Sequence, residues 1–210
     1  MQSKAAPPPP PIGFTPTYAP PIVKAQTWRW IGKGWDLVKG DLVAYVLMAL
    51  FFAILNGVVP MILQGPLTAG IEIATLRKLA GRRIEFADMF KGFNYFVPTL
   101  AAHLVTMIFV AGGTLLCIIP GLVIAAMYIF VNLFIVDKRM EFWPAMQASH
   151  AIVKNDYFGF TMFILAIALV NVLGVLCCVV GILVTLPLSY AAITVAYQEL
   201  VGFDPNALPA

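Results

Sequence analysis

The sequence predicts an all-α integral membrane protein with six transmembrane helices, which form three hairpins that each follow a short interfacial amphipathic helix. Three observations support this fold class. The 210 residues are 61% apolar and only 11% charged, whereas soluble domains are about half apolar and about a quarter charged. Several apolar runs approach the roughly 20 residues that a spanning helix needs. The basic residues all fall in alternate connections between these runs.

The apolar runs and the charges together predict the topology. Lys, Arg, Asp and Glu are absent from the runs 42–63, 96–119, 121–136, 157–181 and 182–197. If each run and one shorter segment cross once, all 13 basic residues lie on one side. The positive-inside rule then places both termini on the cytoplasmic side of the membrane. The predicted hairpins are 41–63 with 65–80, 95–119 with 121–136, and 157–181 with 182–199.

The predicted membrane domain covers 26–200, between two tails. Residues 1–25 contain five consecutive prolines and are predicted to be a disordered cytoplasmic spacer, with a ligand for Pro-binding domains as the alternative. Residues 201–210 form a short C-terminal tail.

The first amphipathic segment, 27–39, is predicted to lie on the membrane. Its apolar face carries Trp28, Ile31, Trp35 and Val38, and its polar face carries Arg29, Lys33 and Asp36. Tryptophan favours the headgroup region. We therefore expect Trp28 and Trp35 to be interfacial anchors.

The second predicted crossing, 65–80, is short and contains Glu72. A re-entrant half-helix is an alternative, but it would move the basic residues between Arg77 and Lys91 to the opposite side. The distribution of charge therefore favours a full crossing.

The later hairpins have amphipathic segments too, at 85–93 and 141–155, which suggests an internal repeat. The apolar faces carry Phe86, Met89, Phe90 and Phe93 in one segment, and Phe142, Met146 and Val153 in the other. Trp143, Lys39, Lys91 and Lys154 are further predicted anchors. We expect the residues after these lysines to end each amphipathic helix in the left-handed conformation; they are Gly40, Gly92 and Asn155.

Polar residues within apolar segments are candidates for function, because burial in lipid is costly. Glu72 is a candidate proton or cation site; the alternative is a structural ion pair with Arg77 or Lys78. Asn56 and Asn171 each follow a repeat lysine by 17 residues and are expected to bond between helices. Asn132 is a further polar candidate.

No cofactor is predicted. His103 is a candidate ligand for a metal, haem or pigment, but it has no second ligand at a suitable spacing. The three cysteines, Cys117, Cys177 and Cys178, are predicted to be small apolar residues, with a disulfide bridge left open. Enzyme motifs for phosphate loops, zinc proteases and serine hydrolases are absent. A basic nucleic-acid-binding domain is also absent, so we expect a non-enzymatic protein without a nucleic-acid partner.

Several motifs resemble a broad group of bacterial membrane proteins of unknown function. They comprise Gly65-Pro66-Leu67 with Gly70, Glu85-Phe86 with Asp88, Phe90, Phe93, Phe96 and Pro98, Ile119-Pro120-Gly121, Asp137, Trp143 with Ala145 and Ser149, and Val153-Lys154-Asn155. The group includes DUF975-like proteins and the membrane domain of glycerophosphoryl diester phosphodiesterases, whose catalytic domain is absent from this sequence. The resemblance covers roughly 28–200 and implies six helices in an inner membrane.

The sequence thus favours a scaffold or accessory subunit of a larger membrane assembly. The expected partners are the lipid bilayer and other membrane protein subunits. The alternative is a small transporter or channel, in which Glu72 and the intramembrane asparagines line a path.

Overall fold

The computed structural model describes residues 24–58, 61–177, 181–203 and 205, and this part of the chain is helical and contains no strand. Most of the predicted tail 1–25 lies outside the described residues, as do most of the C-terminal tail and Cys178. The helices are α1 (Thr27–Gly40), α2 (Leu42–Val58), α3 (Gln64–Leu79), a 3₁₀ helix (Phe86–Tyr95), α4 (Phe96–Leu116), α5 (Ile118–Met127), α6 (Val131–Lys138), α7 (Phe142–Val153), α8 (Tyr157–Leu176) and α9 (Ile182–Leu200).

Three helices of the described chain are long and apolar enough to cross a membrane. They are Phe86–Leu116, Ile118–Lys138 and Tyr157–Leu176. The pair α1 and α2 would add a fourth if it formed one span, although the two helices meet at 99°. The prediction of an all-helical membrane protein is confirmed, and three of its apolar segments have the dimensions of a full crossing.

The short helix α3 lies at the centre of the protein. Every residue from Gly65 to Leu76 is buried, and the helix packs against the 3₁₀ helix, α2, α4, α6 and α9. A helix that is surrounded by protein need not match the thickness of the lipid. This burial explains why a helix of only 16 residues can be stable in this membrane protein.

Two glycines allow α3 and the 3₁₀ helix to touch through their backbones. A methyl group on Gly70 would lie 2.0 Å from the carbonyl oxygen of Met89, and one on Gly92 would lie 2.1 Å from that of Pro66. The expectation of a left-handed Gly92 is wrong, as it is for Gly40, because only Gly81 and Gly202 among the described glycines have positive φ. Close packing rather than backbone conformation requires glycine at position 92.

The predicted left-handed Asn155 is wrong as well, because Met61 and Arg139 are the non-glycine residues with positive φ in the described chain. Helix α7 ends instead at Lys154, whose conformation is still right-handed helical.

The second amphipathic segment also differs from the prediction, because it does not stop before the membrane span. The 3₁₀ helix runs directly into α4, and together they form one helix of 31 residues. A methyl group on Gly65 would lie 2.6 Å from the carbonyl oxygen of Thr99. The end of α4 is 17 residues beyond Thr99, about 25 Å away at roughly 1.5 Å per residue. The start of α3 therefore lies beside the start of α4, far from the turn that follows α4.

The predicted span 121–136 is broken in the middle. Helices α5 and α6 are separated by a turn at residues 128–130, and Ser149 of α7 bonds to the freed backbone. Its hydroxyl donates to the carbonyl oxygen of Met127 at 2.7 Å and accepts from the amide of Phe130 at 3.2 Å. These bonds satisfy polar groups that would be costly to leave unpaired in an apolar environment.

Helix α1 packs on the protein through a different face from the one predicted to be apolar. Trp30, Gly34 and Val38 are buried, and a methyl group on Gly34 would lie 2.8 Å from the amide nitrogen of Ala192 in α9. Of the predicted face, Trp28 is 78% exposed and Trp35 is 44% exposed, whereas Ile31 is partly buried and only Val38 is fully buried. The burial of Trp30 was not predicted, because the ring partners that cover it are Phe160 and Phe163 of α8, which are distant in sequence.

Candidate functional site

The most strongly connected polar group is Asp88, in the 3₁₀ helix. Its side chain is 1% exposed, and its Oδ1 lies 3.2 Å from an Arg77 guanidinium nitrogen and 2.8 Å from Lys91 Nζ. Its Oδ2 accepts a hydrogen bond from the Glu85 amide at 3.0 Å and caps the helix. A buried carboxylate with two cations is well compensated, so Asp88 joins α3 firmly to the 3₁₀ helix.

Other ion pairs join segments that the sequence predicts to lie on the same side of the membrane. Lys78 pairs with Asp41, linking α3 to the start of α2. Glu199 of α9 accepts from Trp30 Nε1 at 2.9 Å and from Lys33 Nζ at 2.6 Å, linking α9 to α1.

Further polar contacts continue this arrangement. The hydroxyl of Tyr197 donates to Asp137 Oδ2 at 2.9 Å, linking α9 to α6. The amide of Ala25 donates to Asp156 Oδ2 at 3.0 Å, linking the start of the described chain to α8. The charged segments thus meet at one end of the helices and hold the helix ends together.

Glu72 lies in the buried core and takes no part in these ion pairs. The side chain is 2% exposed, and its Oε2 has no hydrogen-bond partner among the described residues. Tyr190 of α9 lies within electrostatic range. The alternative of an ion pair with Arg77 or Lys78 is wrong, because these cations pair with Asp88 and Asp41. An unpaired carboxyl group in a core is costly, which keeps Glu72 a candidate for function.

The other predicted site residues lie on separate helices, and no hydrogen bond between described residues joins any two of the four. Asn171 of α8 donates to Ser189 Oγ of α9 at 2.7 Å and to the Ile167 carbonyl at 2.9 Å. Asn56 of α2 has a buried Oδ1 and His103 of α4 has a buried Nε2, each without a hydrogen-bond partner in the described chain. Asn171 therefore has a visible structural role as a link between α8 and α9.

The predicted interfacial anchors occupy different environments. Trp143 is 50% exposed, as expected of a residue available to lipid headgroups. Lys39 is exposed and pairs with Asp36 at 2.5 Å, whereas Lys91 is engaged by the buried Asp88. Lys154 is exposed.

Several structural links were not assigned from the sequence. Asn132 Nδ2 of α6 donates to Thr68 Oγ1 of α3 at 2.9 Å, and Tyr45 of α2 donates to Thr75 Oγ1 of α3 at 3.3 Å. Asn132 stands out in the sequence because it is a polar residue in an apolar run. Threonines are common in membrane helices, so Thr68 and Thr75 do not stand out in this way. Only the packing around α3 reveals which threonines have partners.

The described residues contain no group of three or more His, Cys, Asp or Glu side chains that could hold a metal ion. Cys117 and Cys177 are free and exposed. Three open cavities of about 170, 280 and 380 Å³ lie on the surface, and Glu72 lines none of these three.

The chain is similar to uncharacterised mycobacterial proteins. Uncharacterized protein Rv2560 of Mycobacterium tuberculosis (strain H37Rv) and uncharacterized protein Mb2590 of Mycobacterium bovis are each 28% identical to it over 159 residues. The matched region covers 76% of this chain and 47% of each relative, so the chain spans about half the length of the curated relatives it matches. No family model matches the chain, and no solved structure matches it.

The different environments of the acidic residues give a stability prediction. We expect Asp88→Asn to lower the free energy of unfolding by about 3 kcal/mol, because it removes a buried carboxylate from two half-buried cations. We expect Glu72→Gln to leave it unchanged or raise it, because Gln removes a carboxyl group that has no ion-pair partner in the described chain. Unfolding in mixed detergent micelles, followed by tryptophan fluorescence, measures both.

Asp36→Asn is the matched control, since Asp36 also pairs with a lysine three residues later but on an exposed surface. Its cost should stay below about 1 kcal/mol. Equal losses for Asp36→Asn and Asp88→Asn would contradict the assigned role of the buried pair.

Proposed function

We propose that this chain is a non-enzymatic integral protein of a bacterial inner membrane that acts as a scaffold or accessory subunit of a larger assembly. The observation that carries the proposal is the division of its surface. Polar side chains in the apolar helices bond to carbonyls of their own helix or to a neighbouring helix, whereas the outward faces of α2, α4 and α8 are apolar. The proposal includes the resemblance of several motifs to DUF975-like proteins and to phosphodiesterase membrane domains.

The outward faces fit both proposed partners, lipid and other membrane subunits. Exposed apolar side chains on them include Val43, Leu47 and Ile54 of α2, Leu104, Met107 and Leu115 of α4, and Leu165, Leu169 and Leu173 of α8. Surfaces of this kind pack against acyl chains or against helices of other proteins. They lack the charged groups that a soluble partner would engage.

The polar contacts favour a structural role. Asn171 with Ser189, Asn132 with Thr68 and Tyr45 with Thr75 each join a different pair of helices. Such bonds contribute about 0.6–2 kcal/mol each within a membrane. They strengthen the bundle of helices.

The assembly test uses the full chain, purified at native expression level in a mild detergent and analysed by native mass spectrometry. We expect it to migrate with other membrane protein subunits in a reproducible ratio. A chain that emerges alone, while a known membrane complex from the same extract remains intact, would contradict the scaffold proposal.

Six crossings with cytoplasmic termini are part of the proposal, and cysteine labelling tests them. In a cysteine-free background, an impermeant maleimide added outside spheroplasts should label Cys117, restored singly, and Gln64→Cys, but not Arg83→Cys. Arg83 is preferable to Arg82, whose guanidinium donates to the Pro205 carbonyl. Labelling of all three in lysed cells is the control.

Labelling at position 64 distinguishes a full crossing of α2 and α3 from a re-entrant hairpin, because α3 begins beside the start of α4. If Cys117 is labelled from outside and Gln64→Cys is not, α2 and α3 form a re-entrant hairpin and the chain crosses four times. The basic residues would still share one side, because both ends of such a hairpin lie in the cytoplasm.

A transporter or channel is the second candidate, and the buried Glu72 without an ion-pair partner favours it. Intramembrane carboxyl groups of this kind often bind protons or cations. If the chain transports, Glu72→Gln should abolish proton or sodium flux into proteoliposomes, whereas Asp36→Asn should leave it intact. Equal flux for the wild type, Glu72→Gln and empty liposomes would remove this candidate.

A further inference from the structure

A surface depression in two adjoining parts lies along the α4–α5 pair and beside α7. Its first part is an apolar groove of about 380 Å³ between α4 and α5. Its second part is a pocket of about 170 Å³ beside α7. Tyr128, in the turn between α5 and α6, lines both parts, so the two parts meet at its side chain.

The groove has the shape and lining of a site for one acyl chain. Ile108, Gly112 and Leu116 follow one another at four-residue intervals on one face of α4, which gives a length of about 12 Å. Gly112 forms the floor, since a methyl group placed there would meet no atom within 4 Å. Phe109 and Tyr128 pack with their rings 6.0 Å apart and form the wall nearest the pocket.

The pocket offers hydrogen-bond donors. Besides Tyr128 it is lined by Trp143, Gln147, His150 and Met146, and no carboxylate lines it. His150 Nε2 lies 2.7 Å from the Tyr157 hydroxyl. When that hydroxyl donates to Nε2, the His150 Nδ1 carries the proton and is a donor as well.

A positive charge lies close to this pocket on the same helix. Trp143, Gln147, His150 and Lys154 are spaced by four, three and four residues, so they share one face of α7. Lys154 is exposed and comes one turn after His150. Donors in a pocket that no carboxylate lines, together with a cation on the same helix face, match a phosphate group.

We propose that this depression binds one anionic glycerophospholipid, with an acyl chain in the α4–α5 groove and its phosphate in the pocket at His150 and Lys154. A transmembrane helix of a second copy is the competing occupant. Its backbone carbonyls are used within the helix, so it would cover the pocket donors without supplying acceptors. A phospholipid supplies both the apolar chain and the phosphate oxygens. The site goes beyond the scaffold proposal and does not depend on it.

The test titrates phosphatidylglycerol into the delipidated full chain and counts bound molecules by native mass spectrometry. We expect one tightly bound lipid. Gly112→Leu should weaken its binding about tenfold, a change of roughly 1.4 kcal/mol, because the new side chain fills the groove. Gly57→Leu is the matched control and should change nothing, since Gly57 also has open space around it but lies on α2.

Headgroup recognition is tested with phosphatidylcholine, which has the same phosphate but no net charge. The wild type should prefer phosphatidylglycerol about tenfold, and the double variant His150→Phe, Lys154→Gln should lose this preference, by the same free-energy relation. Lys39→Gln, which removes an exposed lysine after α1, should retain it. Size-exclusion chromatography checks that each variant remains folded.

The proposal is overturned if Gly112→Leu and Gly57→Leu bind the lipid equally, or if the double variant keeps the wild-type preference. It is also overturned if Gly112→Leu dissociates a dimer without changing lipid binding, which would assign the groove to a second copy of the chain.

Discussion

The backbone contact between α3 and the 3₁₀ helix is the constraint on which the rest of this structure depends. Gly70 lies against Met89, and Gly92 lies against Pro66, so neither position has space for a side chain. This contact brings Arg77 of α3 to Asp88, which also pairs with Lys91 of its own helix. It also directs the 31-residue helix that contains α4 past the start of α3. A short, buried helix thereby becomes the centre around which longer apolar helices pack.

Charge and apolar packing have separate functions in this protein. The ion pairs of Asp41, Asp88 and Glu199 join helix ends, and in each of them the cation is partly exposed to solvent. Within the apolar part, neutral hydroxyl and amide groups make the connections, as Ser149 does at the break between α5 and α6. Glu72 is the exception, because its carboxyl group lies in the core without an ion pair in the described chain.

The two proposals concern different parts of the molecular surface and fail independently. A scaffold role depends on the broad apolar faces of α2, α4 and α8, whereas lipid recognition depends on one depression beside Tyr128. Loss of the lipid preference would leave the scaffold role standing. A chain isolated without partners would leave the lipid site standing. The buried Glu72 remains a distinct question, which flux measurements address directly.

The all-helical membrane class follows from the amino-acid sequence alone, because long uncharged apolar runs have few other stable structures in a cell. The sequence also located most helices to within a few residues and identified Glu72 as an unusual buried acid. It identified Gly92 as a special position but gave the wrong reason, since a glycine needed for a left-handed turn and one needed for close packing look the same in a sequence.

The partners that these residues contact depend on the tertiary fold and cannot be read from local sequence patterns. Lys91 follows a pattern shared with Lys39, but its aspartate is buried against α3 whereas that of Lys39 is exposed. Trp30 is buried and Trp28 exposed, although they are two residues apart in the same helix. Periodicity describes one helix at a time. The burial of a side chain depends on helices that are distant in sequence, and their positions follow from packing that no local pattern records.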